Sequence, residues 1–269
     1  MTTPYDQGVA LKPELDLHVA HGGTGRPALI LHGGAGPTSV NTLAAHLSKN
    51  MQTITPTHPG WDGTPRPPWL SGIGKLAQTY LRYLYEAGLH DVLVVGSSIG
   101  GWIAVEMAVR DLDHRIGALV LIDAVGITVA GEPILNVFES PPASVFAATF
   151  HDPAKFAPNV ATMTDERIAE QRSNMATLRA LAGEPYMHDP GLLSRINRVR
   201  IPTLVLWGSA DGIATPAYGR AFAAAFADAR FETIDRAGHL PHVEQPEATL
   251  AFIDDFASQR LNLTSEERR

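Results

Sequence analysis

Residues 92–100 read Val-Leu-Val-Val-Gly-Ser-Ser-Ile-Gly. Four apolar residues in a row, without polar alternation, are the pattern of a strand buried on both faces. Such strands belong to parallel sheets, whose crossover helices cover both sides. The run ends in Gly96-Ser97-Ser98-Ile99-Gly100, a G-x-S-x-G, and the residues from Ile99 to Val109 then predict a helix. A chain that passes from buried strand to helix within a few residues must turn sharply. The residue at the apex takes a strained backbone, and its neighbours two positions away must be small. Ser98 is thereby lifted clear of the sheet and faces the unpaired N–H groups that open the helix. With 24 glycines in the chain, the five-residue motif alone would arise by chance in roughly one chain in ten. Its strand–turn–helix setting is what gives it weight.

The same alternation runs along most of the 269 residues. Further strands are predicted at Ala28–Leu31, Gln52–Pro56, Ala118–Ile122, Thr203–Trp207 and Arg230–Ile234. Helices are predicted at Ile73–Ala87, with Gly88 just past its end, and at Pro216–Phe226 and Glu247–Phe256. This order implies an α/β fold, a mainly parallel central sheet flanked by helices. Residues 126–199 break the rhythm. They carry Pro133, Pro141, Pro142, Pro153, Pro158, Pro185 and Pro190, a helical stretch at Thr164–Leu181 and no strong strand. A structureless connection of that length is unusual in a compact domain. The expectation is therefore a core of residues 1–125 and 200–269 with a helical cap insertion at 126–199.

Composition removes several classes of function. No cysteine is present, so disulfides, thiolate nucleophiles and Cys-ligated metals are excluded. A net charge of −7 without any Lys/Arg run argues against nucleic acid as a partner. The longest apolar stretch, Ala118–Val129, is interrupted by Asp123 and Gly126, so no membrane span and no membrane partner are expected. Met1–Leu17 lacks a stretch of signal-peptide length, which predicts a cytoplasmic protein in which the sequon at Asn262 is idle.

Three other segments surround the Ser98 turn in the expected sheet. His32-Gly33-Gly34-Ala35-Gly36 follows the first predicted strand, and its glycines allow close backbone approach to a ligand. It matches neither G-x-G-x-x-G nor G-x-x-x-x-G-K, so a phosphate loop fits poorly. Asp211 follows the strand Thr203–Trp207, and His239, in Ala237-Gly238-His239, follows the last strand. Loops in these places reach the carboxyl edge of the sheet, where open α/β sheets bind ligands. A serine hydroxyl becomes a nucleophile only when a base takes its proton and a third group orients the base.

In this order, His32-Gly33-Gly34, Gly96 to Gly100, Gly208-Ser209-Ala210-Asp211 and Gly238-His239 resemble the α/β-hydrolase family over about residues 15–258. The resemblance implies Ser98 as nucleophile, His239 as general base and then acid, and Asp211 as the residue orienting it. It also implies an oxyanion hole from the backbone N–H groups of Gly34 and Ile99. Asp123, at the end of the Ala118–Ile122 strand, is the rival acid. The segment Pro56–Gly63 resembles the loop after the family's next strand, with His58 standing where an acidic residue is usual. His32 reads as structural and Ser97 as pointing elsewhere. The His239-x-x-His242 pair is interrupted by Pro241, which argues against zinc there, so neither metal nor cofactor is expected.

Family members that open epoxides or displace halide carry Asp at the turn, so Ser98 points to acyl chemistry. The expected reaction is cleavage of a small or medium apolar carboxylic ester, a small-molecule substrate, through an acyl-enzyme. Trp61, Trp102 and Phe138 are expected at the substrate. Val137, Phe146, Phe150, Phe156, Met163, Met175, Leu178 and Met187 either line the pocket or pack the insertion. Carbon–carbon bond or lactone hydrolysis would use the same three residues. The former needs an arginine for its substrate's carboxylates, and Arg167, Arg172, Arg179 and Arg195 are the candidates. A small-molecule sensor on this scaffold is the reading from another class.

Overall fold

The structure, a computed structural model, describes residues 17–156 and 164–261, with side chains as far as Gln259. Most of the N-terminal segment, Met163 and the sequon at Asn262 lie outside the described residues. Seven strands form one sheet: β1 (Val19–Gly22), β2 (Arg26–Leu31), β3 (Met51–Pro56), β4 (Val92–Ser97), β5 (Ile116–Ile122), β6 (Thr203–Gly208) and β7 (Ala229–Ile234). Their spatial order is β1-β3-β2-β4-β5-β6-β7. Only β1 is antiparallel, against β3, and the other pairs are parallel.

The helices are α1 (Asn41–Leu47), α2 (Ile73–Glu86), α3 (Ile99–Ala108), α4 (Pro142–Thr149), α5 (Pro153–Phe156), α6 (Asp165–Ala182), α7 (Leu193–Ile196), α8 (Pro216–Ala224), α9 (Pro241–Glu244) and α10 (Pro246–Leu261). Every residue of β4 and of β6 is buried, as the unbroken apolar runs require. Alternate residues feed opposite cores, following the two-residue period of a strand. Leu29, Leu31, Val94, Leu121 and Val205 pack with residues of α2, α3 and α8. Ala28, Ile30, Leu93, Val95 and Leu204 pack with Leu43 and Leu47 of α1 and Ile253 and Phe256 of α10.

Helix α2 buries Ile73, Leu76, Ala77, Tyr80 and Leu84, one stripe at helical spacing. It ends in a left-handed turn at Gly88 (φ 63°), where Gly88 N–H donates to Tyr85 O (3.0 Å) and Leu89 N–H to Leu84 O (2.9 Å). That pair of bonds satisfies carbonyls the helix leaves open.

Strand β2 lies between β3 and β4, so the chain leaves it to one side and returns on the other. The crevice beyond the carboxyl ends of β2 and β4 is therefore the switch point of the sheet, where ligands bind in such folds. Between β5 and β6 the chain forms α4 to α7 and no named strand among the described residues. An isolated bridge, Gly126 to His188, ties the two ends of that stretch.

Candidate active site

Ser98 occupies the turn between β4 and α3 with φ 53° and ψ −117°, a conformation that L-residues rarely adopt. Its flanking glycines are required by backbone contact. A Cβ on Gly96 would lie 2.3 Å from Gly100 O, and a Cβ on Gly100 would lie 2.2 Å from Leu31 O. The Ser98 N–H donates to Ile122 O (2.9 Å), which pins the turn to β5. Ser97 is still part of β4 and is buried.

The loops after β6 and β7 touch. A Cβ on Gly208 would sit 1.9 Å from Gly238 O, and Ala210 N–H donates to Ala237 O (2.8 Å). This contact brings together residues distant in sequence. His239 Nε2 accepts from the Ser98 hydroxyl at 2.9 Å, and its Nδ1–H donates to Asp211 Oδ2 at 2.8 Å. Asp211 Oδ1 accepts the N–H groups of Ile213 (2.8 Å) and Ala214 (3.1 Å), so the carboxylate is held from both sides. The Asp211 side chain is fully buried and that of His239 is 9% exposed. An imidazole so placed takes a serine proton as Oγ attacks an electrophile, while the carboxylate keeps it in the required tautomer.

Asp123 lies behind this relay. Its Oδ1 accepts Gly208 N–H (2.9 Å), and it bonds neither His239 nor Ser98. The donor atoms of Asp123, Asp211 and His239 lie within 4.8 Å of one another, the one group of metal-ligand type among the described residues. His239 and Asp211 are already bonded to each other there. His242 is buried in α9, and burial lowers its pKa to about 4.

The His32–Gly34 segment is positioned by a buried polar cluster. His32 Nδ1–H donates to Gly33 O (2.7 Å), and its Nε2 accepts His58 N–H (3.0 Å). His58 Nε2–H donates to His32 O (2.9 Å), and its Nδ1 accepts from the Tyr80 hydroxyl (2.6 Å). The two imidazole rings are 3.7 Å apart. Burial keeps both neutral, with His32 lowered to about 4 and His58 pushed well below the usual histidine range. His58, in the place where the family pattern has an acid, is thus a structural bridge.

A cavity of about 140 Å³ opens beside Ser98 and His239. Gly34 and Ile99 line it, and Ile99 is the first residue of α3, whose N–H has no intrahelical acceptor. The rest of the lining is mostly aliphatic and includes Val137, Met175, Leu178 and Met187, all singled out in the sequence, with Ile134, Val145, Thr149 and Tyr186, which were not.

Trp61, Trp102 and Phe138, expected at the substrate, are not among the lining residues. Trp61 is buried and donates from Nε1 to Gly34 O (3.2 Å), so it supports the loop rather than the ligand. Trp102 packs under Gly126, where a Cβ would lie 2.6 Å from its ring. Phe138 meets the Tyr186 ring edge-on at 5.5 Å and lies under the Arg179 guanidinium. Phe150 stacks on Phe156 and meets Phe146 at a tilt, with ring centroids 5.0 and 4.9 Å apart. Phe138, Phe146, Phe150 and Phe156 are used to hold residues 126–199 together, while Tyr186 joins the branched and thioether side chains of that segment in lining the cavity.

Glu244 carried no signal in the sequence. Its buried carboxylate accepts Gly238 N–H (2.5 Å), next to His239, together with His151 N–H (3.0 Å) and Asp152 N–H (3.3 Å) between α4 and α5. The end of α4 also meets both loops directly: Thr149 O accepts His239 N–H (2.7 Å), and Ala148 O accepts Gly212 N–H (3.0 Å).

Comparison with known proteins agrees with this geometry. The model of the alpha/beta hydrolase family matches residues 28–252. The chain is 27% identical over 251 residues to a pimeloyl-[acyl-carrier protein] methyl ester esterase of Aromatoleum aromaticum, covering 86% of this chain and 98% of that protein. It is 24% identical over 270 residues to a 2-hydroxy-6-oxononadienedioate/2-hydroxy-6-oxononatrienedioate hydrolase of Paraburkholderia phymatum, covering 91% and 92%. In structure it resembles a thermophilic esterase from Thermogutta terrifontis, with a TM-score of 0.73 at 23% identity over 91% of this chain and 93% of that one. With the family model spanning most of its length, the chain belongs to the alpha/beta hydrolase family and is a hydrolase.

Proposed function

We propose that the protein cleaves small or medium apolar carboxylic esters through an acyl-enzyme on Ser98. The observation that carries this is the unbroken Asp211–His239–Ser98 relay at the wall of a small aliphatic cavity. Ser98 Oγ attacks the ester carbonyl carbon as its proton passes to His239 Nε2. The N–H groups of Gly34 and Ile99 receive the developing oxyanion. His239 then gives that proton to the leaving alkoxide, which departs as an alcohol. A water molecule, deprotonated by His239, attacks the acyl carbon, and Ser98 leaves as its alcohol. Residues 126–199 act as the cap that closes the acyl side, a role supported by Val137, Val145, Met175 and Leu178 in the lining.

A cavity near 150 Å³ lined by aliphatic side chains holds a ligand about the size of benzene, which suits a short or medium acyl chain. The carbon–carbon hydrolase reading draws on relatives named for dioate substrates. Those need a countercharge, and among the described residues no arginine or lysine lines this cavity. Arg179 donates to Phe138 O and lies over its ring, Arg195 pairs with Glu106 and Asp189, Arg167 pairs with Glu170, and Arg172 is exposed. The ester reading is therefore favoured.

The test is turnover of p-nitrophenyl esters from acetate to laurate by wild type and Ser98→Ala. The expected result is an optimum at short to medium chains and a loss of about 10⁵–10⁶-fold in kcat in the variant. Wild-type inactivity on the whole series, with turnover of a vinylogous dioate or binding of a small ligand instead, would overturn it.

A further inference from the structure

Asp123 is a fully buried carboxyl that the proposed reaction does not use. It follows directly on β5 in a left-handed backbone conformation, φ 45°, and is clamped against β6: its N–H donates to Leu206 O (3.0 Å), and its Oδ1 accepts Gly208 N–H (2.9 Å). Its Oδ2 is sealed from solvent and receives no hydrogen bond from any described donor. A charged oxygen in that condition is strongly disfavoured, whereas a protonated one is not.

An acceptor is beside it. Asp211 lies on the neighbouring loop, with its carboxylate oxygen inside the same 4.8 Å group. Asp211 Oδ2 accepts one hydrogen bond, from His239, and a carboxylate oxygen has room for a second. Two adjacent buried carboxyls do not both ionise. Asp211, with three N–H donors, holds the charge better than Asp123, with one.

We propose that Asp123 is a neutral carboxylic acid whose Oδ2–H donates to the Asp211 carboxylate, so that it acts as a positioning residue extending the relay to Asp123–Asp211–His239–Ser98. It holds Asp211 facing His239 and limits the buried pair to one negative charge. The groups facing Asp123 favour that state. Its own burial acts most strongly, the Asp211 carboxylate follows, and the Glu244 carboxylate on α9 adds in the same direction, against the single Gly208 N–H. His239 is the remaining titratable group within reach. The inference rests on Asp211 being the acid of the relay, as proposed above.

The experiment combines two substitutions with a spectrum. Asp123→Leu removes the donor and is expected to lower kcat about 30-fold with KM nearly unchanged. Asp123→Asn keeps an N–H toward Asp211 and an oxygen toward Gly208, and is expected to rescue most of that loss without moving the acid limb of the kcat/KM profile. Difference infrared spectra of wild type at neutral pH should show the C=O stretch of a buried carboxylic acid, and Asp123→Asn should lack it. Failure of Asn to rescue overturns the proposal. So does an acid limb lowered by about one unit in Asp123→Asn, because that marks the loss of a charge beside His239. The infrared band reads Asp123 in the unmodified protein without any substrate. Its absence overturns the inference even if Asp123→Leu does not fold, and its presence in a protein inactive on esters would separate this inference from the ester reading.

Discussion

The two walls of the cavity are built under different constraints. One wall is the carboxyl edge of the sheet, where Ser98 and His239 stand on turns whose glycines, Gly96, Gly100, Gly208 and Gly238, are fixed by backbone-to-backbone contact. The other comes from residues 126–199 and presents Val137, Val145, Met175 and Leu178. Glycines at the edge have no alternative. The aliphatic residues opposite need only be apolar and of suitable volume, a requirement many sequences meet. Chemistry is thus encoded by irreplaceable residues and ligand shape by replaceable ones.

The largest expected effect breaks the edge. In Gly100→Ala the new methyl meets Leu31 O at 2.2 Å and His32 O at 2.7 Å, so β2 and α3 must separate. That should cost about 4 kcal/mol, a fall in Tm of roughly 8–16 °C, or prevent folding. Gly131→Ala, in 126–199, has φ 82° but nothing within 4 Å of the added carbon. It pays only backbone strain, about 1 kcal/mol. Equal losses in the two variants would erase the contrast.

Acid should also act on the edge first. His32, His58 and His242 are buried and neutral, and each has a folded pKa below its unfolded value. Unfolding below pH 6.5 therefore takes up protons at all three, and stability falls as pH drops from about 6.5 toward about 4. Asp123 has a raised folded pKa and opposes this, because the unfolded carboxyl ionises above about 4 while the folded one stays protonated. The net uptake of two protons corresponds to about 3 kcal/mol lost per pH unit. Urea midpoints at pH 6 and pH 5, followed by tryptophan fluorescence, measure it. All four tryptophans lie outside 126–199, so the signal reports the rest of the molecule and not that segment. A midpoint independent of pH would show that the three imidazoles are not held neutral.

This asymmetry explains what could be seen in the sequence. The elbow and the Asp211 and His239 loops follow from Gly96, Gly100, Gly208 and Gly238, positions where a side chain collides with backbone. The aliphatic runs of β4 and β6 are legible for a similar reason, because burial on both faces admits little else. Strand β1, with two exposed residues at the sheet edge, has no such pattern, nor has α1. The expectation that Trp61, Trp102 and Phe138 face the ligand weighted aromatic size over location. All three are spent on packing and loop support. Glu244 was invisible because a buried carboxylate satisfied by three distant N–H groups has no local sequence signature.

Glu244 is where the two walls are joined, which makes Glu244→Gln the next test. An amide offers one acceptor oxygen where the carboxylate serves the N–H groups of His151, Asp152 and Gly238. Hydrogen bonds to charged groups contribute about 1.5–3 kcal/mol each, so a loss near 2 kcal/mol is expected. The His239 loop should loosen with the α4–α5 turn, lowering kcat by about tenfold. A loss of stability with unchanged kcat would mean that the remaining bond, His239 N–H to Thr149 O, suffices to hold the histidine.

The smallest effects concern selectivity and are a direct reading of the aliphatic wall. Leu178 approaches Gly34 closely enough that a Cβ there would sit 3.0 Å from its Cδ2, so it limits the space over the Gly34 peptide. Leu178→Ala should move the preferred ester toward longer acyl chains, improving the longer substrate relative to the shorter by about 10-fold, near 1.4 kcal/mol, in kcat/KM. Phe138→Ala removes a side chain of similar bulk from the same segment, but one turned toward Tyr186 and Arg179. It should lower stability and leave the chain-length profile where it was. A profile that moved with Phe138 and not with Leu178 would mean that the aromatic residues, and not the aliphatic ones, set the shape of the site.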